Sequence, residues 1–338
     1  MPNIIRSHHD IVTSILLATV LAVGVGPAGM AADSRATSRP DDGVWLVSTR
    51  HLHHATGPNT AAPDFERFDG DACWQAADIR DLLNADPATP VVVYVHGNRV
   101  GRWEAIAEGR RAYQALTAGG NDENTPPIQF VIWSWPSDRV RGALNDVRVK
   151  ARRTDLEAYF LARWLARFDS SHRVALVGHS FGARIIAGGL HLLGGGTLLG
   201  RALPPASAER VRPRAVLLAA ALHNYWLRPG CRFDMALPSV DHLLNLYNRC
   251  DPVLRHYRIL DKCTRAEALG YTGMCTNDLD AARQLVTQQD VRCLVGRNHD
   301  VAFYIHNPTV VAEIRKYVLW QPIDVTPPVA DVAALPCP

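Results

Sequence analysis

The stretch VALVGHSFGARII, Val174–Ile186, decides how the rest of the chain is read. Its centre, Gly178-His179-Ser180-Phe181-Gly182, has the form G-x-S-x-G. With glycine near 7% of residues and serine similar, a chance match in a chain this long arises roughly one time in ten. The pentapeptide alone therefore decides little. Its flanks decide more: an apolar run, VALVG, precedes it, and a helical pattern, ARIIAGGLHLL, follows. A serine held between a strand and a helix, with a glycine on each side to let the two pack closely, is a candidate nucleophile. It would sit at the helix N-terminus, where the macrodipole favours developing negative charge.

Working outward, strands and helices alternate. VWLVST (44–49), VVVYV (91–95), QFVIWSW (129–135), RVALVG (173–178), RAVLLAAAL (214–222), HLLNLYN (242–248) and RCLVG (292–296) read as strands. Helical spacing marks ACWQAADIRDLLNA, the stretch from Trp103 to Leu116, DLEAYFLARWLARF and NPTVVAEIRKYVL, the last with Asn307 as N-cap and Pro308 in the first turn. Such alternation predicts a mostly parallel sheet flanked by helices on both faces, an α/β class. Functional loops of these sheets lie at the carboxyl ends of the strands.

Four strand ends carry chemistry. After VVVYV comes His96-Gly97-Asn98, where Gly97 permits a sharp turn and the backbone N–H of Asn98 faces an oxyanion; an ordinary exit turn is the alternative. After VALVG comes Ser180, with the N–H of Phe181 as second oxyanion donor. After LLNLYN comes Asp251, placed to accept from an imidazole Nδ1–H. Asp241 precedes its strand and Asp261 falls in the next helical stretch, and a turn-forming Asp-Pro is the bland reading of Asp251. After RCLVG comes His299, with His306, beside the Asn307 cap, as its rival. The order Ser180, Asp251, His299 is that of an α/β-hydrolase triad.

The segments VWLVSTR, VVVYVHGN, WSWPSD, VGHSFGARI, LYNRCDPVL and ALGYTG together resemble a bacterial α/β-hydrolase family of esterase- or lipase-like, uncharacterised function. The resemblance spans roughly residues 44–318. It implies the α/β-hydrolase fold, with Ser180 as nucleophile, Asp251 as acid and His299 as base.

Composition narrows the partners. A net charge of +3 on 338 residues does not call for nucleic acid. Only three of the 36 basic residues are lysines, and the arginines are scattered. One segment, Arg139–Arg153, holds six basic residues against Asp146 alone; it reads as a solvated helix face, with contact to an anionic substrate or surface as the sharper alternative. His51, His53 and His54 lack metal-ligand spacing, so neither metal nor cofactor is expected.

The N-terminus has Arg6, an apolar run of IVTSILLATVLAVGV and small residues at Gly29 and Ala31. This predicts a signal peptide over 1–31, cleaved before Ala32, and hence export to a periplasmic or extracellular location; an uncleaved anchor is the alternative. A polar leader over 32–43, one domain over 44–320 with a lid-like insertion at 252–292, and a proline-containing tail over 321–338 complete the expected layout. Membrane association after cleavage is not expected. Seven cysteines in an exported chain favour disulfides, with one thiol left over. Cys250 with Cys293, and Cys263 with Cys275, are the plausible pairs.

The expected activity is hydrolysis of a small-molecule or lipid carboxylic ester (EC 3.1.1 type) through an acyl-enzyme. Amide or peptide cleavage by the same triad, and a non-catalytic binding protein of this fold, are the alternatives.

Overall fold

The structure is a computed structural model that describes residues 38–52, 62–69, 73–118, 125–206, 209–259 and 264–323. In chain order its elements are β1 (Gly43–Ser48), β2 (Asp64–Phe68), β3 (Trp74–Ala76), α1 (Ile79–Leu83), β4 (Val91–Val95), α2 (Arg102–Thr117), β5 (Gln129–Ser134) and α3 (Ala143–Leu165). They continue with β6 (Val174–His179), α4 (Phe181–Leu193), β7 (Arg214–Leu218), β8 (Leu243–Tyr247), α5 (Leu269–Thr272), β9 (Val286–Asp290), α6 (Arg292–Val295), α7 (Val301–Ile305) and α8 (Pro308–Val318).

The nine strands form one sheet in the order β3-β2-β1-β5-β4-β6-β7-β8-β9. From β1 to β9 every neighbour is parallel, while β2 and β3 add an antiparallel edge. The chain winds outward from β4 in both directions, toward β5 on one side and β6 on the other, which opens a crevice at the carboxyl ends of these strands. β4 is apolar at every position because both its faces are covered, and Val92–Val95 are wholly inaccessible. This is the α/β-hydrolase fold, as the sequence implied.

Polar edges account for the departures from expectation. ACWQAADIRDLLNA is not one helix: its first half is the edge strand β3, and Asp78 starts α1 late by capping it. The Asp78 carboxylate accepts from Arg80 N at 2.8 Å, and Asp81 reaches back to Asp78 N, a reciprocal capping box. RCLVG is the helix α6, not the last strand. The last strand is β9, VTQQD, half-buried along its whole length and inside the segment expected to be an insertion. A sheet edge needs only backbone pairing, so a polar run serves. α3 starts at Ala143, so it takes up most of the basic segment. Among the described residues no helix is long and apolar enough to cross a membrane.

One of the tight junctions among the described residues lies between α4 and β4. A Cβ at Gly182 would stand 2.0 Å from the Val95 carbonyl oxygen and 2.7 Å from that of His96, so helix and strand approach until only hydrogen fits. Gly178 serves in the same way against Ala183, whose N and Cα would lie 2.7 and 2.8 Å from its Cβ. Gly182→Ala is expected to destabilise the fold by about 1–3 kcal/mol, the usual cost of overpacking. Urea denaturation of the variant beside the wild type measures it.

Candidate active site

Ser180 is the turn between β6 and α4, with φ 54° and ψ −115°. A left-handed φ at a non-glycine residue costs of the order of 1–3 kcal/mol and persists only where the surroundings hold it. Here both sides of the turn are tied to β7 and its exit: Ser180 N–H donates to Leu218 O at 2.9 Å, and Ala221 N–H donates to Ser180 O at 3.1 Å. The side chain thus stands at the sheet's carboxyl edge, 7% exposed. Phe181 opens α4, where the first N–H groups have no intrahelical acceptor.

His299 and Asp251 meet this serine. His299 Nε2 is 3.1 Å from Ser180 Oγ, and His299 Nδ1 is 2.6 Å from Asp251 Oδ2. A carboxylate can only accept, so the proton sits on Nδ1 and Nε2 is free to accept from the hydroxyl. Asp251 is wholly buried, and its second oxygen accepts from Val253 N (2.8 Å) and Leu254 N (2.9 Å), which fixes the carboxylate plane. Burial works against charge on His299, but the charge and hydrogen bond of Asp251 outweigh it and raise the imidazole pKa above its ordinary 6.5. The three residues expected from the strand ends are therefore together in space.

The other two histidines of the site are electrically silent. Burial holds His179 down to about 4, helped by His299, and His96 down to about 3. Neutral His179 Nε2–H donates to the His299 carbonyl at 2.8 Å, seating the loop that carries His299. Neutral His96 donates from Nδ1 to Gly97 O (2.9 Å) and accepts from Trp135 N at Nε2 (3.2 Å). In a trans peptide the N–H points opposite to the C=O, so this bond turns Asn98 N–H away from His96. A Cβ on Gly97 would lie 3.4 Å from Ser180 Cβ, so this loop borders Ser180. Asn98 donates from Nδ2 to Asp146 Oδ2 at 3.0 Å, which turns its side chain toward α3.

Comparison with known proteins adds little to this geometry. No family model matches the chain, and no curated protein matches it. Among solved structures, esterase B from Lactobacillus rhamnosis with a C4-C4 tributyrin phosphonate is similar at 14% identity and a TM-score of 0.38, over 91% of this chain and 96% of that one. Acyl-protein thioesterase 2 from Zea mays is similar at 14% identity and TM-score 0.37, over 69% of this chain and 94% of that one. A Listeria innocua protein, the product of lin2722, has 9% identity and TM-score 0.37, over 68% and 93%.

The competing residues lie elsewhere. Asp241 is bound to Arg214 Nε at 2.7 Å at the amino end of the sheet, His306 is exposed at the end of α7, and Asp261 falls outside the described residues. Asn307 caps α8 through Thr309 N and Val310 N, as its sequence predicts. His51 pairs with Asp64 at 3.0 Å, and His53 and His54 fall outside the described residues. The signal segment and most of the tail fall outside them too.

The expected cysteine pairs are not formed. Cys73, Cys231, Cys275 and Cys293 carry free thiols, four among the described residues where one was expected; Cys250 is in a disulfide. The pairing of Cys250 with Cys293 assumed two neighbouring strands, whereas Cys293 lies exposed on the helix α6.

Sequence reasoning passed over Asn248. This wholly buried side chain donates to Gly296 O (2.8 Å) and Asn298 O (3.1 Å) and accepts from Cys250 N (2.9 Å). It staples the turn that carries Asp251 to the loop that carries His299. The only hint in sequence is a polar residue closing an apolar strand. ALGYTG likewise has a place: Gly270 N–H donates to Ala220 O and Gly270 O accepts from Asn248 N, both at 2.9 Å, so the motif backs the Ser180 turn and the staple alike.

Asn248→Ala leaves its own buried site empty and two part-buried carbonyls without their donor, and is expected to cost about 1–3 kcal/mol. It should also loosen the contact of His299 with Asp251. An NMR titration of the imidazole is expected to show the His299 pKa falling from its wild-type position.

Proposed function

We propose that this chain is an exported serine hydrolase of carboxylic esters, EC 3.1.1 in type, acting on a small-molecule or lipid ester. The observation that carries the reading is the chain of contacts Ser180 Oγ–His299 Nε2 (3.1 Å) and His299 Nδ1–Asp251 Oδ2 (2.6 Å), with the serine on a left-handed elbow.

In this reading Ser180 Oγ attacks the ester carbonyl carbon as its proton passes to His299 Nε2. The imidazolium is stabilised by Asp251, which keeps its own negative charge. The N–H groups of Phe181 and Asn98 hold the tetrahedral oxyanion, with the α4 N-terminus adding its partial positive charge. Collapse breaks the bond to the alkoxy oxygen, which leaves as alcohol with the proton from Nε2. Water then repeats the sequence on the acyl-enzyme, giving up one proton to Nε2 and releasing the carboxylic acid and free Ser180. Every step uses protein groups and water. Export is carried by the N-terminal segment, in which the basic, apolar and small-residue regions follow the order of a cleaved signal.

A fluorophosphonate probe is expected to label the wild type at Ser180 and to leave Ser180→Ala unlabelled; a folded wild type that stays unlabelled overturns the reading. A panel of p-nitrophenyl esters from acetate to palmitate, with matching anilides, then reads acyl length and separates esters from amides.

The pH dependence has a defined sign. The base must be neutral to accept the proton, so kcat/KM should rise through a pKa above 6.5, where Asp251 holds His299. Asp251→Asn removes the main group that raises this pKa and leaves burial, which lowers it, against the smaller opposing effect of Asp300. The inflection should move below 6.5, and kcat should fall by a factor on the order of 10⁴. A pH profile of ester hydrolysis for the two proteins checks both.

A further inference from the structure

The basic segment Arg139–Arg153 hides its one acid. Asp146 and Lys150 are both wholly inaccessible, so this stretch of α3 is not merely a solvated face. Asp146 gathers donors from separate pieces of chain: Oδ2 accepts from Asn98 Nδ2 (3.0 Å) and Arg99 Nε (2.9 Å), and Oδ1 accepts from Val140 N (2.8 Å) and Lys150 Nζ (3.3 Å). Lys150 Nζ also donates to Asp138 O.

Two of those donors belong to the loop that borders Ser180. Arg99 has a φ of 62°, a left-handed arginine that needs outside restraint. The restraint is present on every side. Arg99 N–H donates to Ser137 O at 2.8 Å, Val100 N–H donates to Ser137 Oγ at 3.1 Å, and Arg50 donates to Val100 O at 2.8 Å. Most of these partners come from WSWPSD and the turn after it. Asp146 is the carboxylate in the clamp, and it touches the residue whose N–H faces the oxyanion and the strained residue after it.

We propose that Asp146 is a positioning residue for oxyanion stabilisation: from α3 it holds Asn98 and Arg99 in the left-handed turn that presents the Asn98 N–H to the carbonyl attacked by Ser180. This rests on the reading of Ser180 as nucleophile. A carboxylate that only stabilised the fold would lower stability without touching the balance between ground and transition states. A carboxylate that sets an oxyanion donor is felt in the transition state alone, because the donor's bond is made there.

The test uses the full-length protein, p-nitrophenyl butyrate and butylboronic acid, whose tetrahedral adduct with serine occupies the oxyanion position. For Asp146→Asn, kcat is expected to fall about 10- to 100-fold, as for a displaced catalytic group. KM should stay within about twofold, the Ki for the boronic acid should rise with the loss in kcat, and the pH inflection should stay where the wild type has it. The reference is Asp241→Asn, which breaks the carboxylate pair with Arg214 at the opposite end of the sheet and should lower the melting temperature while kcat holds. Should Asp146→Asn fail to fold, Arg99→Asn decides, since asparagine tolerates the left-handed region and cannot span to Asp146 as arginine does; the same split at smaller size is expected. A loss carried by KM, or kinetics equal to the wild type's, overturns the proposal while leaving the nucleophile assignment intact. A wild type that takes no fluorophosphonate label overturns that assignment first.

Discussion

One close approach governs this molecule. The start of α4 presses on the last carbonyls of β4 so tightly that a Cβ at Gly182 would meet Val95 O at 2.0 Å. A helix can begin there only if the chain reverses within one residue, and Ser180 is that residue, at φ 54°. The strain is local and its restraints are not: the turn is bonded to Leu218 O before it and by Ala221 N after it, both belonging to β7 and its exit. The serine is thus fixed by β4 on one side and β7 on the other. The same packing aims the helix N-terminus at the space above the serine, so position and electrostatics come from one junction.

Three histidines crowd that space, and burial treats them alike: each is pushed toward neutrality. What separates them is the partner. His96 and His179 spend their ring N–H groups on neutral backbone carbonyls, and both fall to values at which no physiological proton stays. His299 alone faces a carboxylate, itself wholly buried, and its pKa rises. A neutral histidine can orient a loop without competing for the proton, whereas a second imidazolium beside His299 would repel the charge it must carry. The division of labour follows from which acceptor each ring meets.

The same logic explains what could be read from sequence. Strands β4, β5, β6, β7 and β8 are buried and parallel, and continuous apolar runs betray them; the residues at their exits are then located by counting. Ser180 and Asp251 emerged that way, at the exits of β6 and β8; His299 was reached from RCLVG, which is a helix rather than a strand, and the three meet in space. The edges could not be read so. β2 is largely exposed or half-buried, and β9 is VTQQD, polar because an edge strand asks little of its side chains. With β9 unseen, RCLVG took its place, and the cysteine pair drawn from that placement fell with it. The basic segment misled for a related reason. Composition counts six cations, five arginines and Lys150, while the feature that matters is that Lys150 and the single acid Asp146 are turned inward.

WSWPSD and ALGYTG hold the backbone around Ser180 from behind. WSWPSD supplies Trp135, which donates from N to His96 Nε2 and from Nε1 to His96 O, and Ser137, which holds Arg99 and Val100. ALGYTG supplies Gly270, which joins the exit of β7 to Asn248. The first stands behind the His96–Val100 loop, the second behind the Ser180 turn and the staple between the Asp251 turn and the His299 loop. A serine, a histidine and an aspartate can be brought together on many scaffolds. Holding them to a few tenths of an ångström is the task of the neighbours, because a group displaced by about 1 Å loses on the order of a hundredfold in rate. Those neighbours answer to the backbone path of this particular chain.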